Sequence, residues 1–266
     1  MYIFLYKIII LLFFLSINLC HSNYYEFNYS ATNLTSFNNL NTNNPAWSSN
    51  IDKNYLIVQS SPSKFGLDKL NNNKIYTKLE ILENLNFHSG LEGIINELFN
   101  DYNSKIGISN IINDKITIGI ELELNSYLVK NYNSSNLIKI NIGGIYNFDN
   151  KIYVGFLIKN LSGNNYSEAK NYKNQIFQLG LGIELLDELA VASDLLVNIN
   201  KSSAYIFSIK YSPISFVQTN ISYCSEPMNV NLGTNIKLLK DIFLQISVSK
   251  YIFSDIYYNF GVAFAW

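Results

Sequence analysis

The chain is poor in the residues that cross-link or coordinate metals. It has two cysteines and two histidines, and if the N-terminal leader discussed below is removed, Cys224 and His88 are the only ones left. One thiol can form neither an intrachain disulfide nor a zinc site, which excludes a small disulfide-stapled extracellular module.

Charge is also scarce. Charged residues make up 15% of the chain and the net charge is −1, whereas about 25% is usual in soluble proteins. A near-neutral chain offers no electrostatic basis for binding nucleic acid.

Motifs for catalysis are missing as well. There is no P-loop, no dinucleotide fingerprint after a strand, no nucleophile elbow and no metal-ligand spacing. His88 stands beside Ser89 and Gly90, which predicts a solvated turn rather than a catalytic setting. We therefore expect no enzyme activity and no cofactor.

The first 22 residues have the organisation of a secretory signal peptide. Lys7 supplies positive charge, an apolar run covers residues 8–15, and Cys20 and Ser22 suit cleavage before Asn23. A membrane-anchor helix is the alternative, although the run is short for a span. A lipoprotein with Cys20 lipidated is disfavoured by the bulky Leu19.

After residue 53, apolar residues alternate with polar ones. The last segment shows this best: one face presents Ile256, Tyr258, Phe260, Val262, Phe264 and Trp266. A period of two predicts a strand with one apolar face. Upstream segments repeat the pattern, and their other faces are rich in Gly, Asn, Ser and single charges, which would build no second layer.

Turn spacing predicts a closed barrel. The tight polar connections Asn113-Asp114, Asp149-Asn150, Asp187-Glu188 and Lys240-Asp241 fall on the same side as the C-terminus, while the longer connections 129–135 and 162–173 fall on the other. Short turns on one side and long loops on the other are typical of outer-membrane barrels. Residues 54–266 are predicted to form an all-β, transmembrane, antiparallel up-and-down barrel of about 14 strands, with 12 as the alternative.

The first strands of this barrel are placed near residues 54–60, 74–86 and 91–99. Residues 92–99 could instead form a short helix. Residues 23–53 are polar and irregular, with too few apolar residues for a core of their own, and are predicted to lie inside the barrel or at its mouth. Aromatic residues near strand ends, including Tyr146, Phe148, Tyr251, Phe253 and Tyr257, are predicted to form interfacial girdles.

Strand parity predicts that a set of charged side chains points into the lumen: Glu121, Glu123, Lys139, Lys159, Glu184, Asp194, Lys210 and Lys237. They could form a selectivity lining, or they could simply fill a polar interior. Glu121 and Glu123 share one face, and paired carboxylates can bind a cation or move protons. No third ligand is evident nearby, so a lining role is favoured.

A family resemblance appears at the start of the predicted mature chain. Asn44-Pro45-Ala46, followed by residues 61–67 (SPSKFGL), resembles the opening of barrels related to the long-chain fatty-acid channel, and most of all the PorV/PorQ-like branch. The resemblance implies a hatch that contains Asn44, Pro45 and Ala46 inside a fourteen-stranded barrel. The terminal strand with Phe264 and Trp266 is similar to the assembly signal of Gram-negative outer-membrane barrels.

The resemblance also implies a function. One role is passive transport of small hydrophobic molecules across the outer membrane of a Gram-negative bacterium. The alternative is a PorV-like partner in type IX secretion or outer-membrane assembly. Expected partners are outer-membrane lipid, the barrel-assembly machinery and either a small hydrophobic ligand or secretion-system proteins. A soluble or surface-attached β protein remains a third possibility if the apolar faces pack on each other.

Overall fold

The structure is a computed structural model, and it describes most of the chain after residue 42. The described residues are 30–32, 34, 43–50, 53–63, 70–131, 134–149, 151–162, 175–199, 202–252 and 254–266. The predicted signal peptide, residues 1–22, lies outside them, as does most of the predicted hatch region.

Within this part of the chain the backbone forms one short 3-10 helix, Pro45–Asn50, and fourteen strands. The strands are β1 (Tyr55–Ser61), β2 (Asn71–Leu82), β3 (Leu85–Ile95), β4 (Phe99–Asn113), β5 (Ile116–Val129), β6 (Ser135–Asn147), β7 (Ile152–Lys159), β8 (Ile176–Leu186), β9 (Leu189–Asn198), β10 (Ala204–Ile214), β11 (Val217–Ser225), β12 (Met228–Leu239), β13 (Ile242–Tyr251) and β14 (Tyr257–Ala265).

These strands close into a single antiparallel barrel. Each strand pairs with its neighbours in sequence, and β1 pairs with β14. At this seam Tyr55 faces Ala265 in register, and the backbone of Trp266 exchanges hydrogen bonds with that of Asn54 at 3.0 and 3.2 Å. The prediction of fourteen strands is confirmed, and the twelve-strand alternative is wrong.

The outer face of the barrel is apolar. Along β5 the outward side chains Ile118, Ile120 and Leu122 are 42–47% exposed, whereas the inward Thr117 and Glu121 are 6% and 3% exposed. Exposed apolar faces that alternate with polar inward faces are typical of a barrel in lipid. Because these faces do not pack on a second layer, the structure removes the basis for the soluble alternative.

The connections differ between the two ends of the barrel. At the end that carries Trp266, hereafter the Trp266 end, two-residue turns occupy 83–84, 114–115, 187–188, 215–216 and 240–241. The longest connection, 160–175, lies at the opposite end, hereafter the far end. Lys53 and Asp241 form an ion pair of 2.6 Å at the Trp266 end, and this hydrogen bond holds the pKa of the Asp241 carboxyl below its usual value.

The β2–β3 hairpin corrects the predicted boundaries. The turn lies at Glu83–Asn84, with Asn84 at φ 67°, a left-handed conformation that asparagine tolerates. The predicted turn at His88 is therefore wrong, since that residue lies within β3 and is fully buried. The helix alternative for 92–99 is also wrong, because β3 continues to Ile95 in register with β2 and β4.

Two members of the predicted aromatic girdles face inward instead. Tyr146 and Phe148 are exposed as predicted, but Tyr251 and Tyr257 are 2% and 7% exposed and stack on each other with ring centroids 6.0 Å apart. Their strand parity, shared with the buried Ser249, directs them into the barrel. Phe253 lies outside the described residues. No helix in the described part of the chain is long and apolar enough to cross a membrane.

Candidate functional site: the barrel interior

A stretch of chain that precedes β1 lies inside the barrel. Residues 43–50, hereafter the luminal segment, include the 3-10 helix and pack against β3, β4, β5 and β6. Asn44, Ala46 and Trp47 are at most 2% exposed. The motif Asn44-Pro45-Ala46 is therefore buried inside the barrel.

Inward-facing glycines provide the space for this segment. A Cβ on Gly119 would lie 2.4 Å from the carbonyl carbon of Pro45, and a Cβ on Gly155 would lie 2.4 Å from that of Ala31. Gly143 has no room for a side chain either, because Asn44 occupies that position. Strand parity places these glycines on the inward face, but nothing in the sequence shows that they mark where the segment packs.

Asn44 carries the main hydrogen bonds of the luminal segment. Its Nδ2 is shared among the carbonyl oxygens of Ala31, at 2.6 Å, Phe156, at 3.1 Å, and Gly144, at 3.4 Å. Its Oδ1 accepts a hydrogen bond of 3.0 Å from the N–H of Ala46, an Asx turn that starts the 3-10 helix. One amide thus fixes the local turn and ties it to β6 and β7.

Trp47 is the centre of an apolar cluster at the Trp266 end. It packs with Tyr55 and Ile57 of β1, and its ring centroid lies 5.9 Å from that of Tyr55. The other members of the cluster are Ala46, Tyr76, Ile145 and Ala263, with Tyr153, Phe243 and Ala265 packed against them. This cluster fills the lumen beside the strand ends.

Above this cluster the predicted carboxylates meet lysines. Glu123 accepts a hydrogen bond of 3.1 Å from Lys139, and Lys105 lies 3.8 Å from Glu121. Asn141 donates to both carboxylates at 2.9 Å. Two buried carboxylates two residues apart are thus balanced by cations and an amide, as burial of charge requires. Lys105 and Asn141 were missed by sequence analysis.

The remaining predicted lumen residues fall in three places. Lys159 lies 3.4 Å from the side chain of Asn43 in the luminal segment. Glu184 and Lys210 share a rung of the barrel, since both are in register with Ala190 of β9. Lys237 has inward parity but is exposed at the end of β12, so it belongs to the rim.

Asp194 holds a second stretch of chain inside the barrel. Its Oδ1 accepts a hydrogen bond of 2.6 Å from the N–H of Ala31 and another of 3.2 Å from Gln178. Ser30, Ala31 and Thr32 are all buried. Asp194 was predicted as a lining residue, and the structure shows it bound to the chain that precedes β1.

His88, Ser48 and Glu121 stand in a row that resembles a hydrolase triad. Ser48 Oγ lies 3.1 Å from His88 Nδ1, and His88 Nε2 lies 3.4 Å from Glu121 without hydrogen-bond geometry. Ser48 also bonds Ser109 at 2.5 Å and is 1% exposed. A buried hydroxyl engaged by the wall cannot reach a substrate, so this row fastens the luminal segment to β3 and β4.

Neither sequence comparison identifies a relative: no protein-family model matches the chain, and no curated protein matches it significantly. Among the described residues, no group of three or more His, Cys, Asp or Glu side chains could hold a metal ion.

Solved structures do resemble the fold. The toluene transporter TodX of Pseudomonas putida aligns with a TM-score of 0.59 at 13% identity, over 84% of this chain and 91% of that one. A FadL homologue of Pseudomonas aeruginosa aligns with a TM-score of 0.55 at 8% identity, over 84% and 93%. At such identities the likeness shows the barrel fold alone.

Proposed function

We propose that this chain is an outer-membrane transport barrel of a Gram-negative bacterium, and that its luminal segment is a plug whose displacement opens the pathway. The observation that carries the proposal is the burial of Asn44, Ala46 and Trp47 inside a closed barrel with a lipid-type outer face. Asn44 donates the hydrogen bonds that tie the segment to Ala31, Gly144 and Phe156, so a change at this residue should weaken its attachment.

The resemblance to fatty-acid channels implies a small hydrophobic solute, and one feature of the lumen supports this class. At the far end an apolar cluster lies on the inner faces of β8 to β11: Ile176, Leu196, Ala204, Ile206 and Cys224, all at most 5% exposed. These side chains pack on one another, and an apolar stretch inside an otherwise polar lumen supports a small apolar molecule as the solute.

Conductance of single barrels in planar bilayers tests the plug. Replacing Asn44 by Leu removes the amide that ties residues 43–50 to Ala31 and Phe156. Net loss of about 1 kcal/mol for each hydrogen bond predicts that open events increase about tenfold or more. A chain that lacks residues 30–50 should conduct continuously.

The matched control is Asn125→Leu. Asn125 is also a buried inward-facing amide, on β5, and no hydrogen bond joins it to the luminal segment, so its conductance should equal that of the original protein. The same low conductance in the control, Asn44→Leu and the deletion would contradict the transport role.

A lumen filled by its own chain also supports a second candidate, a PorV-like partner in type IX secretion or outer-membrane assembly. Such a barrel would act through its rim and would not conduct. Its test is affinity purification of the intact barrel from outer membranes with mild detergent. Recovery of secretion-system proteins, together with unchanged conductance of the Asn44 variant, would favour this role.

A further inference from the structure

The interior has a second wall that differs from the charged one. The inner faces of β11 to β14 carry only one charged residue, Lys237 at the exposed rim. Amides and hydroxyls make up most of the rest. Five of these residues, together with Gln59 of β1, are hereafter called the amide track: Gln59, Ser222, Asn231, Asn235, Gln245 and Asn259.

One rung of the amide track is built around a glycine. Gln59 Nε2 donates to Gln245 Oε1 at 2.5 Å, and the two side chains meet over Gly261, where a Cβ would lie 2.7 Å from Gln59 Cγ. Asn235 is in register with Gln245 on the next strand. The rung therefore sets three amides side by side, two of which are hydrogen-bonded to each other.

The polar atoms of this rung are buried without protein partners. Asn235 is 3% exposed, and neither its Nδ2 nor its Oδ1 has a hydrogen-bond partner among the described residues. Gln245 is 2% exposed, and its Nε2 also has no hydrogen-bond partner among the described residues.

A second unsatisfied position lies further along the track. Ser222 Oγ, 1% exposed, also has no partner. It is in register with Asn231, four residues from Asn235 on β12, which places it about 13 Å away along the strand. Buried polar atoms without a partner occur on several walls of the barrel, but among the described residues only Asn235 lacks one at both its Nδ2 and its Oδ1. Native interiors rarely leave buried polar atoms unpaired, so this amide indicates a group directed at a ligand.

We propose that the amide track is a binding site for a neutral polyhydroxylated solute, such as a sugar or polyol. Each hydroxyl of such a solute can both donate and accept a hydrogen bond, which is what Asn235 and Gln245 together require. A charged solute would lose its hydration without gaining a counter-charge on this wall. The site shares no residue with the apolar cluster of the proposed function or with the luminal segment.

The test is binding of D-glucose to the purified full-length barrel in detergent, observed by saturation-transfer NMR, with gluconate as the charged counterpart. Saturation should pass from the protein to the proton signals of glucose, and the transfer to gluconate should be several-fold smaller. Asn235→Leu should weaken glucose binding about tenfold, because it removes both a donor and an acceptor from the rung. Asn125→Leu, a buried amide on the opposite wall, should leave it unchanged.

Each result is decisive once the barrel is shown to be folded by heat-dependent mobility on SDS gels. If Asn235→Leu loses that mobility shift, Asn235→Asp replaces it, since the carboxylate has the same shape and should weaken binding as well. No transfer to glucose, equal transfer in the Asn235 variant, or equal transfer to gluconate would overturn the proposal and leave the track a hydrated wall. Conductance of the Asn44 variant is independent of all three results, so failure of this site is distinguishable from failure of the transport role.

Discussion

At the scale of single residues, the interior is specified by side chains whose roles depend on long-range contacts. Asn44 reaches a carbonyl 112 positions away in the sequence, and Asp194 binds an N–H 163 positions away. Strand parity predicts that a carboxylate faces the lumen, but it cannot predict which chain segment lies opposite. This is why the lining residues were predictable and their partners were not.

Gly143 tests the packing of the luminal segment. Replacing it by Ala places a Cβ where Asn44 already lies, so the segment should be displaced and residues 43–50 should become sensitive to added protease. Gly93→Ala is the control, because Gly93 faces outward and its nearest neighbour would be 3.3 Å away, on the Tyr102 ring. Equal protease resistance in the two variants would contradict the observed packing.

The part-buried pair Glu123–Lys139 should matter more than the more accessible pair Lys74–Glu92. Glu123→Gln leaves Lys139, whose side chain is 21% exposed, without its 3.1 Å carboxylate partner. The loss of stability should approach, without reaching, the cost of about 3–5 kcal/mol for breaking a fully buried pair. Lys74→Ala removes a 2.8 Å pair whose lysine side chain is 39% exposed, and such pairs contribute about 0–1 kcal/mol. Urea unfolding from detergent micelles measures both, and similar losses of stability would argue against a dry charged cluster.

At the scale of elements, alternation predicted the strands well and their boundaries less well. β14 (Tyr257–Ala265) coincides with the alternating residues 256–266, whereas the β2–β3 turn was misplaced by about four residues. Position 84 is one asparagine among many, so composition alone could not mark it as the turn. The position of the turn is set by the pairing of β3 with β4 along its whole length. This pairing is not visible in the local sequence around position 84.

The outward face of β5 provides a test of lipid contact. Ile120 lies mid-strand, between Ile108 and Ile142 on the neighbouring strands, and its replacement by Lys should cost about 2–4 kcal/mol in lipid. Leu82→Lys, at the Trp266 end of β2, should cost only about 0–1 kcal/mol. Folding titrations in phospholipid vesicles measure both values, and equal costs would mean that mid-barrel positions do not face acyl chains.

The terminal aromatic should act in assembly more than in stability. Trp266 joins Asn54 through backbone atoms, so Trp266→Ala keeps both hydrogen bonds that close the seam. We expect outer-membrane levels of this variant in cells to fall several-fold, while its unfolding in detergent changes little. Ile256→Ala, on the same outward face, should show neither effect. Unchanged levels of the Trp266 variant would contradict the predicted assembly signal.

At the scale of the whole molecule, the barrel was predictable because closure leaves a repeated signal along the chain. Closure follows from the need to pair every backbone group in lipid, and alternating faces, short turns on one side and an even strand count are features that such barrels repeat along the chain. The interior leaves no such repeat, and its charged wall, amide track and luminal segment each arise from pairings between distant strands. The inward glycines leave space for the luminal segment, but the sequence does not show what fills it.

The central claim is that the luminal segment lies against β3 to β6 inside a closed barrel, and disulfide trapping tests it most directly. Ser48 and Ser109 have oxygens 2.5 Å apart, so Ser48→Cys with Ser109→Cys, in a chain whose Cys20 and Cys224 are replaced by Ser, should form an intramolecular disulfide under mild oxidation. Ser48→Cys with Ser222→Cys, on the opposite wall, should not. Absence of the first cross-link, or equal formation of both, would contradict the account.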